Sequence, residues 1–122
     1  MYIQNGISIK PMPLFYPLQE EEEKGIEVGA CKLVPARYDF FVNGTEVQLT
    51  RTEFKIMALL MRRPGMIFTR EQIVETAWMT SSKISDKTVN MHIGYIRKKI
   101  RPRNDGVDPI ETVRDIGYKF QA

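Results

Sequence analysis

The sequence has few of the residues that build disulfides, zinc sites or membrane spans. Its 122 residues include one cysteine, Cys31, and one histidine, His92, which excludes an internal disulfide and argues against a zinc site of the common Cys/His type. The longest apolar runs hold about five residues, whereas a helix needs roughly 20 to span a bilayer. No basic region followed by an apolar stretch begins the chain, so no signal peptide is predicted. A cytoplasmic protein without a membrane segment or a cofactor is the expectation.

The sequence also lacks the residue groups that carry catalysis. It contains no recognisable carboxylate pair, nucleophile–histidine–acid set, phosphate-binding loop or metal cluster, so an enzyme is not predicted. Apolar residues make up 43% of the chain, which is enough for the core of one domain of ordinary size. A binding or interaction protein is therefore the class that remains.

Charge is distributed unevenly along the chain. Residues 1–50 carry four Lys/Arg and seven Asp/Glu, whereas residues 51–122 carry fourteen Lys/Arg and eight Asp/Glu. Seven basic residues and one acid lie between Lys83 and Arg103. A basic second half indicates a polyanionic partner, of which nucleic acid is the usual one, although a solvated helix face has the same composition.

Two regions are predicted. Residues 1–24 are interpreted as a linker or N-terminal extension, because three prolines interrupt regular structure and the acidic run Glu20–Glu23 follows them. Residues 25–122 are expected to form one domain. Its first part, up to Leu49, alternates in short apolar segments and contains Asn43-Gly44, the strongest two-residue hairpin signal, so a small antiparallel sheet is predicted there.

Three helices are predicted after this sheet. Thr50 with Glu53, and Thr69 with Gln72, have the spacing of capping boxes that begin the first two helices. Met66 to Phe68, between these helices, is predicted to be a short strand or an extended link. Ser85 or Asp86 is predicted to cap the third helix, which is expected to run to about Ile100. Two closing strands are predicted last, Ile110 to Val113 and Gly117 to Phe120.

The third helix is the most informative element. Val89, Ile93, Ile96 and Ile100 recur at helical spacing and make one narrow apolar stripe that must face the core. The opposite face then carries cationic and hydrogen-bonding side chains, a combination that fits the major groove of B-DNA. The order helix, link, helix, loop, basic helix, hairpin is that of a winged helix-turn-helix. We therefore predict an α+β fold with an N-terminal antiparallel sheet, three helices and a C-terminal β-hairpin wing.

Several motifs resemble one family. They are Leu49-Thr50 with Glu53-Phe54, Arg63-Pro64-Gly65, Thr69-Arg70, Trp78, Thr88-Val89 with His92-Ile93, Ile96 to Ile100, and Glu111 to Arg114 with Gly117-Tyr118. From Ile26 to Phe120 the chain resembles the effector domain of OmpR/PhoB-type response regulators of bacterial two-component systems. The resemblance implies a four-stranded N-terminal sheet, binding to tandem DNA repeats as a head-to-tail dimer, and RNA polymerase as a partner.

The resemblance also assigns roles to individual residues. Positions that contact phosphates match Trp78, Lys87, Thr88, His92, Arg97, Thr112 and Tyr118. Positions that face base edges match Asn90, Met91 and Tyr95, and Arg114 at the wing turn matches an arginine that enters the minor groove. The loop that meets RNA polymerase matches Ser81, Ser82 and Lys83. Lys98 joins the phosphate contacts because it lies on the same outward face of the third helix.

Each assignment has an alternative in local structure. Trp78 and Tyr118 are equally interpretable as packing residues with a polar tip, His92 as a solvated flank and Thr112 as a strand residue. Met91 and Tyr95, which point outward, suit a thymine methyl or a protein partner, so a winged-helix interaction module without sequence-specific DNA binding is the alternative function.

The chain departs from the family pattern at five positions. The family usually has arginine at Lys87, aspartate at Asn90, a longer polar or arginine side chain at Gly94 and Tyr95, and glycine at Asp115. Tyrosine in place of arginine weakens guanine recognition, so A·T-rich half-sites are expected.

Overall fold

The N-terminal part of the protein is an antiparallel sheet. The computed structural model describes residues 24–78 and 84–121. The sheet contains β1 (Ile26–Val28), β2 (Cys31–Val34), β3 (Asp39–Val42) and β4 (Thr45–Glu46), hydrogen-bonded in that order. A short 3-10 turn, Pro35–Arg37, joins β2 to β3. The four-stranded antiparallel sheet that the family resemblance implied is confirmed.

The β3–β4 hairpin turns at the predicted dipeptide. Asn43 and Gly44 both have positive φ angles, 51° and 81°, as a two-residue hairpin loop of this kind requires. The returning strand is shorter than the apolar alternation up to Leu49 predicts, because β4 ends at Glu46. Val47 still donates its N–H to Phe40 O at 2.8 Å, but the chain then leaves the sheet, and the next helix begins at Arg51 after four intervening residues.

The three predicted helices are present among the described residues: α1 (Arg51–Arg62), α2 (Arg70–Ala77) and α3 (Asp86–Ile100). Both predicted capping boxes form, with Thr50 Oγ1 accepting from the Glu53 N–H at 3.2 Å and Thr69 Oγ1 accepting from the Gln72 N–H at 3.1 Å. Of the two candidate caps for α3, Ser85 caps the helix, because its Oγ accepts from the Thr88 N–H at 3.2 Å.

The C-terminal hairpin is part of a second sheet. It consists of β6 (Ile110–Val113) and β7 (Gly117–Phe120), and β5 (Phe68–Thr69) pairs with β7, so the strand order is β5-β7-β6. The segment from Met66 to Phe68 was predicted to be a short strand or an extended link, and its last residue begins β5 of the wing sheet. Gly117 permits this pairing, because a Cβ at that position would overlap the carbonyl of Phe68.

One core joins the helices to both sheets. The predicted stripe of α3, Val89, Ile93, Ile96 and Ile100, is fully buried in it. Glu53, in the first turn of α1, is the one buried charged side chain of the described residues, and Lys99 Nζ of α3 lies 2.6 Å from its Oε1. None of the described helices is long and apolar enough to cross a membrane.

Candidate nucleic-acid interface

The outward face of α3 is open to solvent. Met91 and Tyr95 lie one helical turn apart, and 46% and 45% of their surfaces are exposed. Lys87 and Lys98 are exposed on the same face, towards its two ends. Large apolar side chains are normally withdrawn from water, so a pair of them between two cations is a feature of a contact surface.

Asn90 is a hydrogen-bonding centre that joins three elements. Its Oδ1 accepts from Arg70 Nε of α2 at 2.9 Å and from the hydroxyl of Tyr118 in β7. The Arg70 guanidinium also lies 5.0 Å from the centre of the Tyr118 ring, close enough for a cation–π interaction. The carbonyl side of the Asn90 amide is thus used within the protein, and its NH₂ group is the part that base reading would use.

Tyr118 is a packing residue in this structure. Only 3% of its surface is exposed, its hydroxyl donates to Asn90, and the Arg97 guanidinium lies 5.7 Å from its ring centre on the α3 side. These contacts support the packing alternative that the sequence left open. A phosphate contact by Tyr118 remains a prediction, and it would require these internal contacts to open.

Arg97 connects α3 to the wing. Its Nη2 donates to Ile110 O at 2.8 Å and to Thr112 Oγ1 at 2.9 Å. Its Nε lies 2.6 Å from Asp108 Oδ2, an ion-pair contact without hydrogen-bond alignment. Only 19% of its side chain is exposed. The guanidinium expected on a phosphate is therefore committed to the protein in this structure, and Thr112, although exposed, already accepts from it.

An aromatic row crosses the flank of α3. The ring of His92 meets Trp78 edge-on at a centroid distance of 5.1 Å and Tyr95 at 6.0 Å. His92 Nδ1 is 2.9 Å from Thr88 O, and because a carbonyl only accepts, Nδ1 carries the proton. Nε2 is then the nitrogen left for a phosphate, to which it donates only when the ring carries its second proton. Trp78 is half-buried against the core, so it serves packing as well.

The wing turn presents a cation and an anion side by side. Arg114 and Asp115 are both exposed in the turn between β6 and β7. Asp115 has a φ of 65°, in the left-handed region that glycine adopts most readily, and it occupies a position where the resembling family usually has glycine. The side chain of Asp115 therefore places a negative charge next to the arginine expected in the minor groove.

The fold brings most of the expected contact residues to one surface. Residues of α3, Trp78 after α2, and Thr112 and Arg114 of the wing lie on adjoining elements, which the contacts of Asn90, Arg97 and His92 link directly. Ser81, Ser82 and Lys83 lie outside the described residues. No group of three or more His, Cys, Asp or Glu that could hold a metal occurs in the part of the chain that the structure describes.

Two residues that organise this surface were not predicted. Arg70 was named only as part of a motif of the family resemblance, with no contact assigned to it, and Asp108 was not singled out. Their partners are 20 and 11 positions away, so only the folded chain brings them together. In the sequence, the one signal for the Arg97–Asp108 contact was that a cation near the end of the third helix is followed by an acid just before the next strand. This order of charges is a weak signal.

The folded chain defines a class of protein. A short strand precedes α2, and a two-stranded wing follows α3, whose exposed face is basic at both ends. This is a winged helix-turn-helix domain with an additional N-terminal sheet, as the sequence predicted.

Comparison with known proteins identifies the family. The family model described as "Transcriptional regulatory protein, C terminal" matches residues 44–120, more than half of the chain. The transcriptional regulatory protein TcrA of Mycobacterium tuberculosis is 34% identical over 96 residues, which is 79% of this chain and 38% of TcrA. The response regulator ArlR of Staphylococcus aureus is 33% identical over 102 residues, 83% of this chain and 46% of ArlR. The chain spans less than half the length of these relatives.

Solved structures have the same fold. The DNA-binding domain of CpxR from E. coli superposes with a TM-score of 0.71 at 31% identity, covering 80% of this chain and 96% of that domain. The Klebsiella pneumoniae RstA DNA-binding domain, solved in complex with the RstA box, gives a TM-score of 0.69 at 26% identity, with coverage of 80% and 97%. The chain belongs to the family of OmpR/PhoB-type effector domains of transcriptional regulatory proteins, a family of DNA-binding regulators and not of enzymes.

Proposed function

We propose that this domain is a sequence-specific double-stranded DNA-binding transcription regulator of a bacterial two-component system, located in the cytoplasm. In this proposal α3 lies in the major groove and Arg114 of the wing enters the minor groove. The observation that carries it is the outward face of α3, where Met91 and Tyr95 are about half exposed between two lysines while the opposite face is fully buried. The RstA domain, of the same fold, was solved with its DNA box.

Base reading is assigned to Met91, Tyr95 and Asn90. The first two offer apolar surface, which suits the thymine methyl group, and Tyr95 adds one hydroxyl donor. Asn90 offers its NH₂ group, since its carbonyl oxygen is held by Arg70 and Tyr118. Arg114 favours the narrow minor groove of A·T-rich DNA, so the proposal includes a preference for A·T-rich half-sites.

Phosphate contact is assigned to side chains that surround this face. The exposed lysines Lys87 and Lys98 supply charge, and Thr88, His92, Trp78 and Thr112 supply hydroxyl or N–H donors. Arg97 and Tyr118 belong to the same proposed set of phosphate contacts. Both side chains also make hydrogen bonds within the protein that hold the wing against α3. Such contacts set affinity and position, and carry no sequence information themselves.

The family membership motivates three further parts of the proposal. The domain binds tandem repeats as a head-to-tail dimer, the loop with Ser81, Ser82 and Lys83 meets RNA polymerase, and residues 1–24 are a linker or extension outside the domain of residues 25–122. Substitution of Ser82 or Lys83 is then expected to spare DNA binding and to reduce activation of transcription. Loss of DNA binding in a folded variant would contradict the assignment of this loop.

A protein-interaction module is the second candidate, because exposed Met91 and Tyr95 suit a protein partner as well. The dependence of random-duplex binding on salt separates the two functions. Phosphate contacts release counterions, so affinity falls steeply as salt rises, whereas a protein-binding surface gives weak affinity for duplex DNA at every salt concentration.

Selection of bound sequences from a random duplex pool tests the proposed readout. We expect an A·T-rich motif for the wild type and enrichment of guanine at one position of each half-site for Tyr95→Arg, because arginine grips guanine O6 and N7 with two donors. Tyr95→Phe is the matched control, which keeps the ring and removes the hydroxyl. An identical motif for wild type and Tyr95→Arg would show that Tyr95 does not face the bases.

A further inference from the structure

A groove of about 580 Å³ lies on a different part of the molecule from the proposed DNA surface. Its floor is apolar, with Phe54 and Leu59 of α1, and its walls include Pro35 and Tyr38 at the end of the first sheet and Met66 before β5. Of the described residues, none from α3, β6 or β7 lines it. The proposed function therefore makes no use of this groove.

Two of the lining side chains are unusually exposed for their type. Tyr38 is 50% exposed and Met66 is 44% exposed, and Ile67 beside Met66 is 38% exposed. Tyr38 is also a non-glycine residue in the left-handed region, with φ 56°, and it stacks on Phe54 at a centroid distance of 4.6 Å. The groove is thus an apolar concavity with a fixed aromatic wall, the form of site that holds apolar side chains.

We propose that the groove is the docking site of the chain's own N-terminal segment, with the apolar stretch Leu14 to Leu18 seated in it and Glu20–Glu23 along its basic rim. Three observations support this occupant over others: the place where the segment joins the domain, the charge of the rim, and the composition of the segment.

The N-terminal segment joins the domain beside the groove. β1 runs antiparallel to β2 with Ile26 opposite Leu33, so Lys24 and Gly25 lie at the end of β2 that leads into Pro35. Gly25 approaches so closely that a Cβ there would contact the Leu33 carbonyl. An extended chain advances about 3.4 Å per residue, so the six residues between Leu18 and Gly25 have ample reach to a groove whose wall begins at Pro35.

Charge and composition match as well. Lys55 and Arg62 of α1, and Arg63 directly after it, line the groove, and the segment carries four consecutive glutamates just before the domain. The residues that precede them, Leu14-Phe15-Tyr16-Pro17-Leu18, are apolar, and a proline within them favours an extended form that fits a groove without needing a partner strand. A segment tethered to its site binds as an intramolecular ligand, for which a short linker gives an effective concentration in the millimolar range.

A spin label in the full chain tests the proposal. Cys31 is 1% exposed, so a Gln19→Cys variant is labelled selectively at the new thiol, which lies between the apolar stretch and the glutamates. We expect loss of amide NMR signals of Leu59, Arg63 and Met66, with those of Met91 and Tyr95 retained, and recovery of the lost signals when the nitroxide is reduced. Signals lost evenly over the domain, lost only at α3, or not lost at all would overturn the proposal.

Two controls decide which occupant produces the effect. In a mixture of labelled unenriched chains and unlabelled ¹⁵N chains, signals should be retained, since signal loss there would mean that a second copy fills the groove. In the labelled background, Leu14→Ser with Phe15→Ser should restore the signals of Leu59 and Met66. The matched pair Ile3→Ser with Ile7→Ser should leave them lost, and equal recovery in both pairs would refute seating of the Leu14 to Leu18 stretch.

Exchanging the charges of the groove rim and of the glutamate run tests whether the two lie side by side. Arg63→Glu should weaken the signal loss at Leu59, because it sets a carboxylate against the glutamate run. Combining it with Glu21→Lys and Glu22→Lys should restore that loss. If the combined variant is no better than Arg63→Glu alone, the glutamates do not lie along this rim. Each readout is independent of DNA binding, so the proposed function can fail without affecting the docking proposal.

Discussion

The polar side chains of α3 differ in what they contact. Lys98 and Lys87 face solvent, whereas Lys99, Arg97 and Asn90 hold other elements through ion pairs or hydrogen bonds. These residues differ little in chemical type, and their positions around the helix decide which of them meet protein and which meet water. Neighbouring cations of one helix are therefore expected to respond differently to the same substitution.

Lys99 and Lys98 provide the sharpest comparison at this scale. Lys99→Met should lower the free energy of unfolding by about 1–3 kcal/mol, because it leaves the carboxylate of Glu53 buried without its cation. Lys98→Met is the matched control on the exposed face, and its change should stay within about 0.5 kcal/mol. Urea denaturation measures both. Equal losses in the two variants would mean that the Glu53–Lys99 pair is not a special contact.

Cys31 gives a prediction about pH. Burial raises the pKa of its thiol from an ordinary value of 9.0 to about 11. The unfolded thiol loses its proton near pH 9 while the folded thiol keeps it, so the contribution of Cys31 to stability is complete below pH 9 and declines as pH rises to about 11. Thiolate absorbance should therefore appear at a higher pH in the folded protein than in urea. Coincident titrations would contradict this.

Among the secondary-structure elements, the wing shows how the residues of a turn set the charge that the hairpin presents to solvent. The β6–β7 turn places an aspartate at φ 65° beside Arg114, a conformation that aspartate adopts more readily than most residues because a short polar side chain is able to hydrogen-bond locally. The result is a wing tip whose charges partly cancel. The wing thus offers less attraction to DNA than its arginine alone would.

Asp115→Asn isolates this effect, since asparagine also accepts the left-handed conformation. Removing one exposed negative charge next to the proposed minor-groove arginine should raise DNA affinity by about threefold at low salt and leave stability unchanged. Asp105→Asn is the matched control, because Asp105 is also exposed with a positive φ, 52°, in the segment after α3. Fluorescence anisotropy with a labelled duplex measures the affinities. A similar gain in both variants would indicate a general charge effect.

At the scale of the whole molecule, side-chain contacts tie the helices to the wing. Arg97 joins α3 to the start of β6 and to Thr112, and Asn90 joins α2, α3 and β7. The orientation of the wing relative to α3 is thereby set by a few polar contacts as well as by the core. A DNA-binding surface built from two elements depends on such contacts for its shape.

Arg97→Ala and Lys98→Ala should separate architecture from DNA contact. Lys98→Ala is expected to reduce the slope of log affinity against log salt by about one unit without loss of stability. Arg97→Ala is expected to lower the urea midpoint, because the Ile110 carbonyl loses a donor and Asp108 keeps only Arg101 as a cation. If Arg97→Ala reduces the salt slope with the midpoint unchanged, Arg97 is a phosphate contact, as the family resemblance suggested.

Much of the fold could be predicted from short stretches of sequence. The caps at Thr50 and Thr69, the Asn43-Gly44 turn and the buried stripe of α3 each depend on residues within a few positions of one another, so their spacing was sufficient. The length of β4 and the pairing of β5 were not predictable in this way. The length of β4 depends on where the chain leaves the sheet to begin α1. The pairing of β5 depends on Gly117, nearly fifty residues further on.

Local sequence patterns were enough to predict the class of the domain, its helices and the side chains that point outward from α3, because periodicity and capping are local properties. Which polar residues remain available to a partner depends on contacts that form only in the folded chain. Arg97, Asn90, Tyr118 and Lys99 find their partners on other elements, at sequence distances where spacing carries no information. A cation that a sequence pattern places on a binding face is free for that role only if no carboxylate or carbonyl of the folded chain reaches it first.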